Sequence, residues 1–190
     1  MATEPHSTIL SPETMVREFK KSGVTHVVTL PDSETNYLYE MMIREPSLTI
    51  VPVAREGETV AIAAGLIIGG KTPVCLIQNT GMFESGDSIR GIAIDVGLPI
   101  VMVVGYRGYD RHGDTPDTAA YFTEPYLHMW GIKFYLVEND ADGSRISTAF
   151  EMARQTNKPV GVLIGDESVS YTHLRAHETE ADLVCRLLLE

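Results

Sequence analysis

The sequence predicts an α/β protein, a Rossmann-like three-layer α/β/α sandwich around a six-stranded, mainly parallel sheet. Three observations carry that prediction. Short runs rich in Val, Ile and Thr alternate with longer helical patterns, repeating about every 25 to 30 residues. Most of these runs are apolar on both faces, as they must be where helices cover both sides of a parallel sheet. Pro73, Pro99 and Pro159 stand just before or at the start of such runs, where a missing N–H does least harm.

In chain order, Ser11 with Pro12 at the first helical position opens a helix whose Met15, Val16 and Phe19 share a face, and Gly23 closes it. A strand over 26–30 follows. Ser33 opens the next helix, with Leu38, Met41 and Met42 inward, before a strand over 49–53. The helix over 56–68 is apolar nearly all round, which places it against the sheet or at a subunit contact. Strands over 74–78 and 100–105 flank a helical stripe of Ile89, Ile92, Ala93 and Val96. Strands over 134–137 and 160–164 flank the last stripe, Ile146, Ala149, Phe150 and Ala153.

The 190 residues suffice for one domain with a buried core. Fifteen Lys and Arg against 26 Asp and Glu give a formal charge of −11, which argues against nucleic acid or an anionic membrane as partner. The longest apolar stretch, 59–70, is too short to span a bilayer. Two cysteines, Cys75 and Cys185, need no disulfide and suit a reducing, cytoplasmic setting. The domain is expected over 1–168. Residues 169–190 break the rhythm; they read as a C-terminal helix from about Ala176 or, preferably, as a segment that cloning or sequencing adaptors add in frame to a native chain.

Gly65 to Thr72 matches the phosphate-binding P-loop pattern letter for letter, but in the wrong context. A P-loop follows a strand and opens a helix, so that backbone N–H groups face the phosphates. Here a helix runs into the glycines and a strand begins after them, so Gly69 and Gly70 read as a helix stop. No dinucleotide fingerprint, nucleophile-elbow serine, HExxH or paired-cysteine metal site occurs, and no metal ligands are assigned.

Open α/β sheets bind ligands at the C-terminal ends of their strands. Four consecutive ends carry polar side chains: Pro31-Asp32-Ser33, Arg55-Glu56-Gly57-Glu58, Gln78-Asn79-Thr80-Gly81, and Gly105-Tyr106-Arg107-Gly108 with a polar loop through Thr118. Singly, each has a plain explanation as a cap, a turn or a surface charge. In this order they resemble the pyrimidine-binding domain of thiamine diphosphate-dependent decarboxylases, nearest to sulfopyruvate decarboxylase alpha chains and the matching half of phosphonopyruvate decarboxylase. The most specific stretch is 56–65 followed by Gln78-Asn79-Thr80-Gly81, and Tyr106 stands where the resemblance leads one to expect tryptophan.

The resemblance implies a role for each position. Glu56 would hydrogen-bond a ring nitrogen of the cofactor's aminopyrimidine from an apolar cleft and so act as its proton partner. Glu58, two residues on, would face away. Asp32 and Ser33 would border the substrate carboxylate or assist protonation. Gln78, Asn79, Thr80 and Gly81 would line the cofactor cleft, with Asn79 also near substrate. Arg107 and His112 would hold a second anionic headgroup. The Gly-Asp-Gly motif that binds magnesium and diphosphate is missing, since Gly165-Asp166-Glu167 lacks the third glycine. The expectation is therefore an alpha subunit of a carboxy-lyase that acts on a small 2-oxo acid, 3-sulfopyruvate first and phosphonopyruvate as alternative. It would share thiamine diphosphate with a separate beta subunit that holds Mg2+. A catalytically silent Rossmann-like binding module is the rival reading.

Overall fold

The computed structural model describes residues 9–31 and 36–165. Asp32, Ser33, Asp166 and the segment 169–190 lie outside the described residues. Every expected strand forms: β1 His26–Thr29, β2 Thr49–Pro52, β3 Pro73–Gln78, β4 Val101–Tyr106, β5 Lys133–Val137 and β6 Val160–Gly165. They pair in the order β2-β1-β3-β4-β6-β5, and each pairing is parallel. All strand C-termini consequently open on one edge.

Two cores lie on opposite faces of this sheet. Alternation along each strand divides its side chains between them: Val74 and Leu76 of β3 point one way, Cys75 and Ile77 the other. The first core is closed by α1 (Pro12–Lys21), α2 (Asn36–Arg44) and α7 (Ser144–Thr156), through Phe19, Met42 and Phe150. The second is closed by α3 (Gly57–Ile68), α4 (Asn79–Glu84) and α6 (Thr118–Met129), through Val60, Met82 and Leu127.

The helix signals act as their chemistry requires. Ser11 Oγ accepts from Thr14 N at 3.2 Å, and Gly23, at φ +73°, turns the chain into β1. Ser11 also donates from its backbone N–H and its hydroxyl to Asp140 Oδ1 at 2.8 and 2.9 Å, tying α1 to the loop before α7. Burial pushes the Asp140 carboxyl up, but these bonds and Thr14 outweigh it and hold the group below its usual range. Helix α3 stops at Gly69 and Gly70, Lys71 N bonds Leu66 O at 2.8 Å, and β3 begins at Pro73. The P-loop-like string thus sits at a helix C-terminus. Helix α3 buries one stripe, Thr59, Val60, Ala63 and Ala64, while Ile68 is exposed, so its outer face is apolar without being covered.

Two stretches depart from expectation. Between β3 and β4 the chain forms α4, a single turn α5 (Gly86–Ser88) and a π-helical turn over Ile89–Ile94. Asp95 N bonds Arg90 O and Leu98 N bonds Ala93 O, both five residues back. The wider turn lets the period slip, so Ile89 and Ala93 are buried but Val96 is 62% exposed and leaves the stripe. Between β4 and β5, where the sequence pattern shows a polar loop through Thr118, stands α6. Asp117 caps it by accepting from Ala119 N at 2.8 Å, and Ala119, Ala120, Thr123 and Leu127 bury a helical stripe despite Pro125 inside the helix. Among the described residues no helix is long and apolar enough to cross a membrane.

Candidate active site

The site begins at the β2-to-α3 junction. Glu56 is the N-cap residue of α3 and half-buried. Its carbonyl accepts from Thr59 Oγ1 at 2.6 Å and Thr59 N at 2.9 Å. Its side chain lies across Gly81 in α4: a Cβ on Gly81 would stand 2.4 Å from Glu56 Cγ and 2.7 Å from its Cδ. Among the described residues the Glu56 carboxylate has no hydrogen bond or ion pair. Glu58 differs. It is exposed, and its Oε2 accepts from Ala54 N at 3.1 Å, closing the turn that leads into the helix.

The end of β3 feeds directly into α4. Gln78 is half-buried and accepts from the exposed Thr80 Oγ1 at 2.9 Å. Asn79 corrects the expectation that it faces cofactor and substrate. It is fully buried; its Nδ2 donates to Arg107 O and to Thr123 Oγ1, both at 3.0 Å, and its Oδ1 accepts from Thr80 N at 3.0 Å. With both amide protons and its oxygen engaged inside the chain, Asn79 ties β3, the end of β4 and α6 together.

At the end of β4, Tyr106 is 6% exposed and its hydroxyl lies 3.4 Å from both Ala120 O and Glu124 Oε1. Burial, then the Glu124 carboxylate, pushes its phenol upward. Tyr109 packs on it at 4.9 Å and donates to Glu138 Oε1 at 2.8 Å; burial and that bond push its phenol up to about 12. Arg111 pairs with the same Glu138 at 2.8 Å, and a cavity of about 120 Å³ lies between these residues, Asp110 and Gly165.

Arg107 is 54% exposed and its Nε donates to Asp117 Oδ2 at 3.1 Å. Gly108 makes this possible, because its φ is +77° and a Cβ there would stand 2.6 Å from Asp117 Cβ. His112 is exposed in the following loop; its backbone N–H donates to Asp110 Oδ1 at 3.0 Å, and its ring meets neither Arg107 nor any other described partner. The structure therefore brings together Glu56, Gly81, Gln78 and Thr80, sets Arg107 on the neighbouring strand end, and leaves His112 apart.

Two contributors escaped the sequence reading. Glu84 accepts a hydrogen bond from Gly57 N and pairs with Arg55. Thr123 is the far anchor of Asn79. Asp117-Thr118 before two alanines is an N-cap signal that could have revealed α6 and with it Thr123; Glu84 carries no such signal until α4 is known. Among the described residues no group of three or more His, Cys, Asp or Glu side chains could hold a metal ion. Phe83, Phe122, Pro125, Tyr126 and Met129 line an apolar groove of about 390 Å³ along α4 and α6.

The chain is 29% identical over 165 residues to the sulfopyruvate decarboxylase subunit alpha of Methanothermobacter thermautotrophicus, covering 85% of this chain and 97% of that one. It is 26% identical over 165 residues to the phosphonopyruvate decarboxylase of Streptomyces viridochromogenes, covering 81% of this chain but 41% of the relative. The fold matches that of a 2-oxoglutarate:ferredoxin oxidoreductase from Magnetococcus marinus with a TM-score of 0.68 at 18% identity, over 88% of this chain and 31% of that one. The family model for the N-terminal TPP-binding domain of thiamine pyrophosphate enzymes matches residues 12–128. With that match spanning more than half of its length, the chain belongs to the thiamine pyrophosphate enzymes, as their N-terminal TPP-binding domain.

Proposed function

We propose that this chain is the alpha subunit of a thiamine diphosphate-dependent 2-oxo acid decarboxylase that converts 3-sulfopyruvate to sulfoacetaldehyde and carbon dioxide. The observation that carries this is Glu56, a half-buried carboxylate without an internal partner among the described residues, laid over Gly81 at the C-terminal edge of a parallel sheet. Such a group fits the edge of an aminopyrimidine ring, where it accepts a hydrogen bond and exchanges a proton. The near-complete span of a named alpha subunit supports a separate beta subunit, which on this reading holds Mg2+ and the diphosphate.

Thiamine diphosphate, when bound, supplies the electron sink for the carbon–carbon cleavage. The substrate carboxylate leaves as carbon dioxide, and the carbonyl carbon that keeps the bonding pair takes up one proton. This chain contributes Glu56 as proton partner, Gln78 and Thr80 beside it, and Gly81 as the clearance that lets Glu56 lie flat. Asp32 and Ser33 keep the substrate-side roles that the resemblance implies. Arg107 serves the sulfonate: its bond to Asp117 engages Nε, and a guanidinium has further N–H donors in a fixed plane. His112, further along the same loop, is a second candidate for that headgroup. Tyr106 gives no support to a silent module, since it is buried and bonded within the chain, where a change of aromatic residue alters packing and not an exposed group.

Co-expression with a beta chain that carries a Gly-Asp-Gly domain should give a complex that binds thiamine diphosphate and releases carbon dioxide from sulfopyruvate. A complex that binds no cofactor would refute the proposal. Arg107→Ala should raise KM for sulfopyruvate roughly tenfold or more, as loss of a charge-assisted contact does, while sparing pyruvate. Equal kcat/KM for phosphonopyruvate and sulfopyruvate would move the substrate assignment to dianionic 2-oxo acids in general.

A further inference from the structure

We infer that Glu84 is the positioning residue for Glu56. The inference rests on the reading of Glu56 as the cofactor's proton partner and adds what holds that carboxylate in place.

Gly81 and Glu84 are three residues apart on α4, so they share a helix face. That face meets Arg55, Glu56 and Gly57 in succession. Glu56 lies on Gly81, while Glu84 grips the residues on either side: its Oε1 pairs with Arg55 Nη2, and its Oε2 accepts from Gly57 N. Glycine at 57 leaves room for this approach, since a Cβ there would stand 2.7 Å from Glu84 Oε2. Ser88 completes the grip by donating to Gly57 O at 3.2 Å. Glu84 therefore satisfies an otherwise unpaired N–H at the N-terminus of α3 and complements the dipole there. Holding the Gly57 N–H and carbonyl fixes the backbone next to Glu56, and with it the Cα–Cβ direction at 56. Among the described residues the Glu56 carboxylate itself is left unbonded, which keeps it free for a ring nitrogen.

The test uses the full chain, alone and assembled with its partner. In the chain alone, the Gly57 amide should resonate far downfield and exchange slowly; Glu84→Gln should keep most of that signature and Glu84→Ala should lose it. In the assembled enzyme, Glu84→Ala should lower kcat roughly 10²-fold, the size expected for a displaced catalytic group, with KM within about twofold of wild type. Glu84→Gln, which keeps the acceptor, should recover most of that loss. A Gly57 amide unmoved by Glu84→Ala would overturn the grip. Full kcat alongside a lost amide signature would overturn the positioning role. Should Glu56→Gln retain full turnover, the reading of Glu56 fails instead, and the amide signature, which needs no cofactor, separates the two failures.

Discussion

Glu56 and Gly81 occupy one another's space: a single methyl group on Gly81 would overlap the Glu56 side chain at 2.4 Å. Gly81 is buried within α4, and its φ is not in the left-handed region, so alanine suits its backbone. Gly81→Ala should therefore fold, with overpacking that costs about 1–3 kcal/mol, yet push Glu56 aside. The expected result is a large fall in turnover with modest loss of thermal stability, read from kcat and from a melting curve of the same sample. Wild-type turnover would show that the carboxylate does not need this seat.

Glu56→Gln and Glu58→Gln differ only in position along the chain, and the geometry separates them. Glu56 has no internal partner among the described residues, whereas Glu58 accepts from Ala54 N, a bond that an amide oxygen can keep. Turnover should drop by roughly 10²-fold or more for Glu56→Gln, the scale of general acid–base catalysis, and stay near wild type for Glu58→Gln. Equal losses would mean that both act through the helix start.

Asn79→Ala strands the Arg107 carbonyl, the Thr123 hydroxyl and the Thr80 N–H without their side-chain partner. Urea unfolding should show a loss of about 1–3 kcal/mol, as for a buried polar group left unpaired. Thr123 Oγ1 also donates to Ala119 O at 2.7 Å, so Thr123→Val should cost less and be non-additive with Asn79→Ala. Strict additivity would show that the two are not coupled.

The Tyr109 phenol is pushed up from 10.0 to about 12, by burial first and then by its bond to Glu138. A raised folded-state pKa means that the fold favours the protonated phenol. The stabilisation is fully present below pH 10 and lost as pH rises towards about 12. Denaturant midpoints measured across that range should fall more steeply in wild type than in Tyr109→Phe; parallel curves would show that Tyr109 does not contribute.

The sheet was legible because its strands are buried on both faces, and continuous runs of Val and Ile have few other uses. The N-caps at Ser11 and the glycine stop at 69–70 were legible because capping is local chemistry. Glu56 was visible for the same reason, lying where a strand pattern passes into a helix pattern. What escaped depended on contacts across the chain. Asn79 offers the same letters whether it faces a cleft or a buried threonine 44 residues away, and only the presence of α6 decides. Helix α6 itself was hidden by Pro125 and by the polar loop before it. Glu84 looked like any surface acid, since its role requires α4 to bring it under Gly57.

The strand order has a consequence for how the chain comes together. Strand β6 is buried throughout and inserts between β4 and β5, so among the described strands β5 pairs with β6 alone. On a ribosome, β5 and the far edge of β4 would wait with open hydrogen-bonding edges until residues 160–165 emerge, a state that invites pairing with other chains. The half of the sheet that carries Glu56, built from β1, β2 and β3, is complete long before that. Truncation ahead of Val160 should therefore leave a nascent site on an aggregation-prone scaffold.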